Sequence, residues 1–274
     1  MTNPTTLIDH ARYPLAEPDS ATTTALIAQC RAALDEKAVC VIDGFLTPES
    51  LTALAAEAEG LAPLAHHRPA KRNCYIGVEN DPSLAADHPR RHFMATTLGV
   101  VADDLIPAGS GLRTLYMWPA FQRFLAAIVG YPALYPNEDR FQALNVIVYE
   151  PGEQSDWHFD PDNDFTITLL LQEAEQGGGF SIVPDLRSHD DENYPGVKRV
   201  LDGDQSRVAH LEREPGSLVV FRGHDSLHRV ATIEGDQRRL VCVICYEDRP
   251  GIVGDPKVNA AIYGPRAAAI EGLG

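Results

Sequence analysis

Residues 141–172 read FQALNVIVYEPGEQSDWHFDPDNDFTITLLLQ, and this stretch decides the fold. Three short runs, ALNVIVYE, WHFD and FTITLLLQ, are separated by two clusters of turn formers, PGEQSD and PDND. Runs of this length, rich in β-branched and aromatic residues and bounded by Gly, Pro, Asn and Asp, read as strands. The texture continues downstream through FSIV, RVAHLERE, LVVFRG, LHRVATI and RRLVCVICYE, punctuated by GGG, PGS and EGDQ. About eight strands at this spacing predict an antiparallel sandwich or barrel.

Working outward, residues 22–37 carry apolar side chains at helical spacing, with Thr available as a cap. AVCVIDGFL then reads as a short buried strand and a turn. Thr47-Pro48-Glu49-Ser50 predicts a helix start, with Thr47 as N-cap and Pro48 at the first position; Gly60 is its expected end. Residues 112–130 are helical after Pro119 and stop at Gly130. Residues 63–111 show no sustained period, so they are either functional or hide short elements. Residues 1–19 form an irregular arm. The expectation is one mainly-β (α+β) domain over 1–274: a helical buttress at 1–140, a strand core at 141–250 and a Pro/Gly-rich tail at 251–274 that packs back on the body.

The formal charge is −16, from 23 basic against 39 acidic residues. A surface that acidic repels phosphate backbones and argues against a nucleic-acid substrate. No run approaches the roughly 20 apolar residues that span a bilayer, and no secretory leader is visible. The five cysteines are odd in number and irregularly spaced, which suits a reducing cytoplasm. Cys242-Val-Ile-Cys245 sits in an apolar strand where positions three apart face opposite ways, so it reads as core and not as a zinc or redox motif.

The chemistry concentrates at His158-Phe159-Asp160. On a strand, His158 and Asp160 share a face while Phe159 enters the opposite layer. An imidazole and a carboxylate on one face are half of a metal site. A second histidine, His228, opens a strand after the turn RGHDS and completes a 2-His-1-carboxylate triad that suits non-haem Fe(II). The last strand begins with two arginines. A bidentate guanidinium is the best anchor for the far carboxylate of a metal-bound keto acid. Arg238 and Arg239 face opposite ways there, and periodicity does not choose between them.

HFD, then SLHRV, then GDQRRL resembles the Fe(II)/2-oxoglutarate-dependent oxygenase superfamily across residues 141–250. WHFD, GGGFSIVPDLRS, DENY, VLDG, FRG and YEDRPG resemble the free-amino-acid radical halogenases of the BesD/HalD type and their hydroxylase relatives. The resemblance implies a double-stranded β-helix, or jelly roll, with Fe(II), 2-oxoglutarate and O₂ as cofactor and co-substrates. It implies His158, Asp160 and His228 as iron ligands and favours Arg239 as the keto-acid anchor. Asn145 would hydrogen-bond the keto acid, or else pair with backbone. In the halogenases Gly or Ala stands where this chain has Asp160, so hydroxylation with release of succinate and CO₂ is expected.

Other residues carry weaker readings. Trp157 shapes the site or fills the core. Asp162 and Asp164 form a solvated turn, or one of them is a ligand. His224 and the other isolated histidines are surface residues. Arg90 and Arg91 are either a surface pair or a substrate-carboxylate clamp. The expected partner is a small polar substrate, with no nucleic acid and no membrane; a homodimer stays open. The competing readings are an oxygenase of carrier-bound or peptidyl substrates and a cupin-like metal-binding module without turnover.

Overall fold

Two antiparallel sheets face each other in the computed structural model, which describes residues 3–67, 70–161 and 164–273. The larger has seven strands in the order Val39–Ile42, Leu218–Phe221, Thr166–Gln172, Arg239–Ile244, Leu144–Tyr149, Gly99–Val101 and His66–His67. The smaller has six, ordered Ala209–Leu211, Phe180–Val183, Leu227–Val230, Gln154–His158, Met94–Thr97 and Ala70–Arg72. This is the antiparallel sandwich that the turn spacing predicts, in the jelly-roll form that the resemblance implies.

Side-chain alternation sorts the large sheet into two faces. Leu240, Cys242 and Ile244 join Val146, Val148, Leu169, Leu218 and Val220 on the outer face. Phe121 and Leu125 of the helix Pro119–Val129, with Leu54 and Ala58 of the helix Pro48–Leu61, cover that face. Burying each such leucine contributes about 1.5–3 kcal/mol. On the inner face Tyr149, Val219 and Phe221 meet Phe180, Ile182 and Val230 of the small sheet.

The local punctuation acts as expected. Thr47 accepts from Ser50 N at 3.2 Å, and Gly130 closes its helix at φ 82°. Two details differ. Ser20, not a threonine, caps the helix Ala21–Lys37. The Pro48 helix runs one residue past Gly60 to Leu61.

Residue 141 is no architectural boundary. Both sheets recruit strands from before it, and the unreadable segment 63–111 supplies four of them. Strands of two to four residues are too short to display a period. The tail is not irregular either: Pro256–Ile270 is helical with a kink at Gly264 and Pro265. The polar insert after the GGG turn holds a further helix, Tyr194–Leu201, whose Val197 and Val200 cover Trp157, Phe159 and Leu227 on the outer face of the small sheet. All five cysteines are free thiols. No helix among the described residues is long and apolar enough to cross a membrane.

Replacing Thr47 by Ala should lower unfolding stability by roughly 0.5–2 kcal/mol, the usual loss of an N-cap. Urea denaturation with an unchanged m-value is the check.

Candidate metal centre

His158 and His228 are direct cross-strand partners in the small sheet. Opposed residues on an antiparallel pair put their side chains on one face, and the two rings stand 4.2 Å apart between centroids. The next registered pair is Val230 with Ser155, so the Gln154–His158 strand carries one more residue than its partner over this interval. That bulge turns both Ser155 and His158 inward. Each imidazole is then fixed by its backbone. His158 Nδ1 donates to Asp156 O at 2.8 Å, and His228 Nδ1 donates to Ser226 O at 2.9 Å. With Nδ1 committed as a donor, both Nε2 lone pairs are left to accept a metal.

The strand ends at His158, so Asp160 reaches the site by another route than strand alternation. Its amide donates to Gly223 O at 3.0 Å. Its Oδ1 then lies 3.8 Å from His158 Nε2 and 3.4 Å from His228 Nε2. Oδ2 accepts from Thr166 Oγ1 at 2.5 Å. A side chain at Gly223 would collide with both Asp160 Oδ2 and Thr166 Oγ1, so the carboxylate fills a cradle that only glycine leaves open. One donor atom from each of the three residues lies within 4.8 Å of the others. Burial, the neighbouring His228 and Arg72 push the His158 pKa well below its ordinary value, keeping the ring neutral. Burial opposes the Asp160 charge, but His228, His158 and the Thr166 hydroxyl outweigh it and hold the carboxyl below its usual range. Neutral imidazoles and an ionised carboxylate are the protonation states a divalent cation requires. The donor set therefore fits Fe(II).

Arg239 pairs with Tyr149 across the large sheet and points into the interior, 2% exposed, with Cζ 5.7 Å from the Tyr149 ring. Arg238 turns outward to Glu59 and Glu150. Of the two arginines, Arg239 is the one that faces the interior. Two further cations approach the same interior. Arg213 lies over Phe180 at 5.1 Å and donates to Thr168 Oγ1 at 3.3 Å. Burial and the proximity of Arg239 push its pKa down to about 9, which leaves it charged at neutral pH. Arg72 donates to Thr96 Oγ1 at 3.2 Å. Sequence reasoning missed both. The signal for Arg213 was available: in AHLERE it alternates with Leu211, which packs against the inner core.

Asn145 does not serve the interior. Its Nδ2 donates to Phe141 O and Leu144 O, both at 2.7 Å, and its Oδ1 accepts from Tyr263 of the tail helix at 2.8 Å. The side chain is bonded to backbone, and both of its N–H donors are taken, so none is left for the oxygens of a keto acid. Trp157 packs on the outer face with Phe159, with Arg229 over its ring at 4.6 Å. Arg90 pairs with Glu192, and Arg91 with Asn80 and Leu84 O. Asp162 lies outside the described residues. Asp164 and His224 belong to a second cluster treated below.

The model of a protein family described as halogenase D matches residues 22–253. No curated protein is matched by the sequence. Among solved structures, an oxidoreductase of the 2OG-Fe(II) oxygenase family from Burkholderia pseudomallei superposes with a TM-score of 0.52 at 15% identity, covering 82% of this chain and 92% of that one. A prolyl-4-hydroxylase from Pseudomonas putida gives 0.50 at 17%, covering 81% and 99%. The epimerase SnoN, in complex with Fe3+, alpha ketoglutarate and nogalamycin RO, gives 0.53 at 17%, covering 85% and 93%. At these identities the superpositions establish the fold.

Gly223→Ala should displace Asp160 and cut Fe(II) retention at least roughly tenfold, the range seen when a group that supports a metal ligand is lost. Metal content after desalting is the measurement; full retention would show that the cradle is not needed.

Proposed function

The chain belongs to the halogenase D family of Fe(II)/2-oxoglutarate-dependent enzymes, and we propose that it hydroxylates a free amino acid or similar small polar metabolite, releasing succinate and CO₂. The observation that carries this reading is the Asp160 carboxylate beside the two imidazoles. A halide needs a coordination position that this carboxylate fills.

His158 and His228 would bind Fe(II) through Nε2, and Asp160 through Oδ1. Bound there, Fe(II) with 2-oxoglutarate and O₂ supplies the oxidation that converts a substrate C–H bond into C–OH. The chain contributes orientation and polarity. Backbone carbonyls of Asp156 and Ser226 hold the rings, and Thr166 holds the carboxylate oxygen that faces away from the imidazoles. Arg239 would fork onto the distal carboxylate of the keto acid. Phe180, Phe221, Ile182 and Val230 wall the interior with apolar surface and limit water. Arg72 and Arg213 add positive charge beyond what one anchor requires. That excess suits a dianionic co-substrate together with a substrate bearing its own carboxylate, as a free amino acid does. Enzymes described as an epimerase and a prolyl-4-hydroxylase share the fold, so the fold does not select the substrate.

The test is anaerobic loading with Fe(II) and 2-oxoglutarate, exposure to oxygen with a panel of free amino acids, and product mass. A gain of one oxygen with stoichiometric succinate is expected. A chlorinated product in chloride buffer, or oxidation of carrier-tethered substrates alone, would overturn the proposal. Arg239→Ala should raise KM for 2-oxoglutarate roughly ten- to hundredfold, the worth of a charge-assisted hydrogen-bond pair.

A further inference from the structure

A second group of metal-ligating side chains lies outside the triad. One donor atom from each of His189, His224 and Asp225 lies within 4.8 Å of the others. The His189 and His224 rings stack at 4.4 Å with an 18° interplanar angle. His224 Nδ1 is 2.7 Å from Asp225 Oδ1, and His189 Nε2 is 3.2 Å from Asp164 Oδ1. The other Asp164 oxygen accepts from the Tyr131 hydroxyl at 2.5 Å. A cavity of about 350 Å³ opens onto the group and is lined in part by Tyr131, Asp164, Phe165, His189, Arg222 and Asp225. Arg222 is already paired with Asp35 and Asp185, so it does not neutralise these carboxylates.

We propose that His189, His224 and Asp225 form a second divalent-cation site distinct from the catalytic triad, with Asp164 beside it as the hydrogen-bond partner of His189. Two imidazoles and one carboxylate, with a fourth position left open, suit Zn²⁺. The site draws on two separate segments, and both touch the triad's supports. The turn carrying His224 and Asp225 also carries Gly223, whose carbonyl accepts from Asp160 N, and Ser226, whose carbonyl orients His228. Arg187, two residues before His189, donates to His224 O at 2.6 Å and to Asp160 O at 3.4 Å. A cation held here braces the turn that positions two triad residues. Its role is structural support of the centre, not chemistry.

The experiment uses the full metal-free chain and Zn²⁺ alone, with bound metal counted by elemental analysis after equilibrium dialysis. Wild type is expected to bind two equivalents. His158→Ala/His228→Ala should retain one, and His189→Ala/His224→Ala should also retain one. In the His158→Ala/His228→Ala background Zn²⁺ should raise the melting temperature, and adding His189→Ala should abolish that rise. His189 is exposed, with 68% of its side-chain surface accessible, so its substitution spares the core. A single equivalent in wild type, none in His158→Ala/His228→Ala, or two in His189→Ala/His224→Ala would overturn the proposal. Because the decisive count is made where the triad is gone, the second site stands or falls independently of the oxygenase reading.

Discussion

The pairing of His228 with His158 across one antiparallel ladder is the constraint on which the rest of the site depends. A ladder slip of one residue would turn an imidazole to the outer face, beneath the helix Tyr194–Leu201. Register is held from both sides. Trp157, Phe159 and Leu227 must stay in the outer apolar layer, while Val230 and Ile182 must stay in the inner one. The extra residue between Ser155 and His158 reconciles the two demands. Once the ladder is fixed, the carbonyls two residues before each histidine fall in line with Nδ1, and the tautomer follows from the backbone.

The interior of this sandwich is electrostatically unusual. Its inner face carries Arg239 and Arg213 in place of aliphatic side chains, and no ion pair to either forms among the described residues. Burying such charges costs stability. The outer face of the large sheet offsets that cost, because its continuous apolar layer is sealed by four helices and holds most of the hydrophobic core. The division of labour is thus between faces: one stabilises, and the other is free to stay polar and bind anions.

Much of this was legible in the chain. The eight strands that the two large sheets draw from beyond residue 141 follow from alternation and turn chemistry, and His158, Asp160 and His228 stand out as residue types that need a common partner. What stayed hidden has physical causes. The strands Ala70–Arg72 and Met94–Thr97 are too short to show a period, and Arg72 was hidden with them. Arg238 and Arg239 alternate, and only the packing of Leu240 and Cys242 against helices decides which of the two is inside. Asn145 looked available because Tyr263, the donor to its Oδ1, stands on a tail whose helix is interrupted by Gly264 and Pro265. His189 and His224 are far apart in sequence, and nothing local announces that their rings stack.

The family name describes the scaffold, while a single side chain bears on the reaction. Here the surroundings are built around the acid. Thr166 donates to Oδ2, Gly223 keeps clear of it, and the amide of Asp160 is tied to the Gly223 carbonyl, so the same glycine serves backbone and side chain together. One hydrogen bond to the carboxylate, one backbone bond from its own amide and one glycine that leaves it room together fix this side chain. They are what a permanent anionic ligand needs in order to hold its orientation when the cation beside it pulls on the other oxygen.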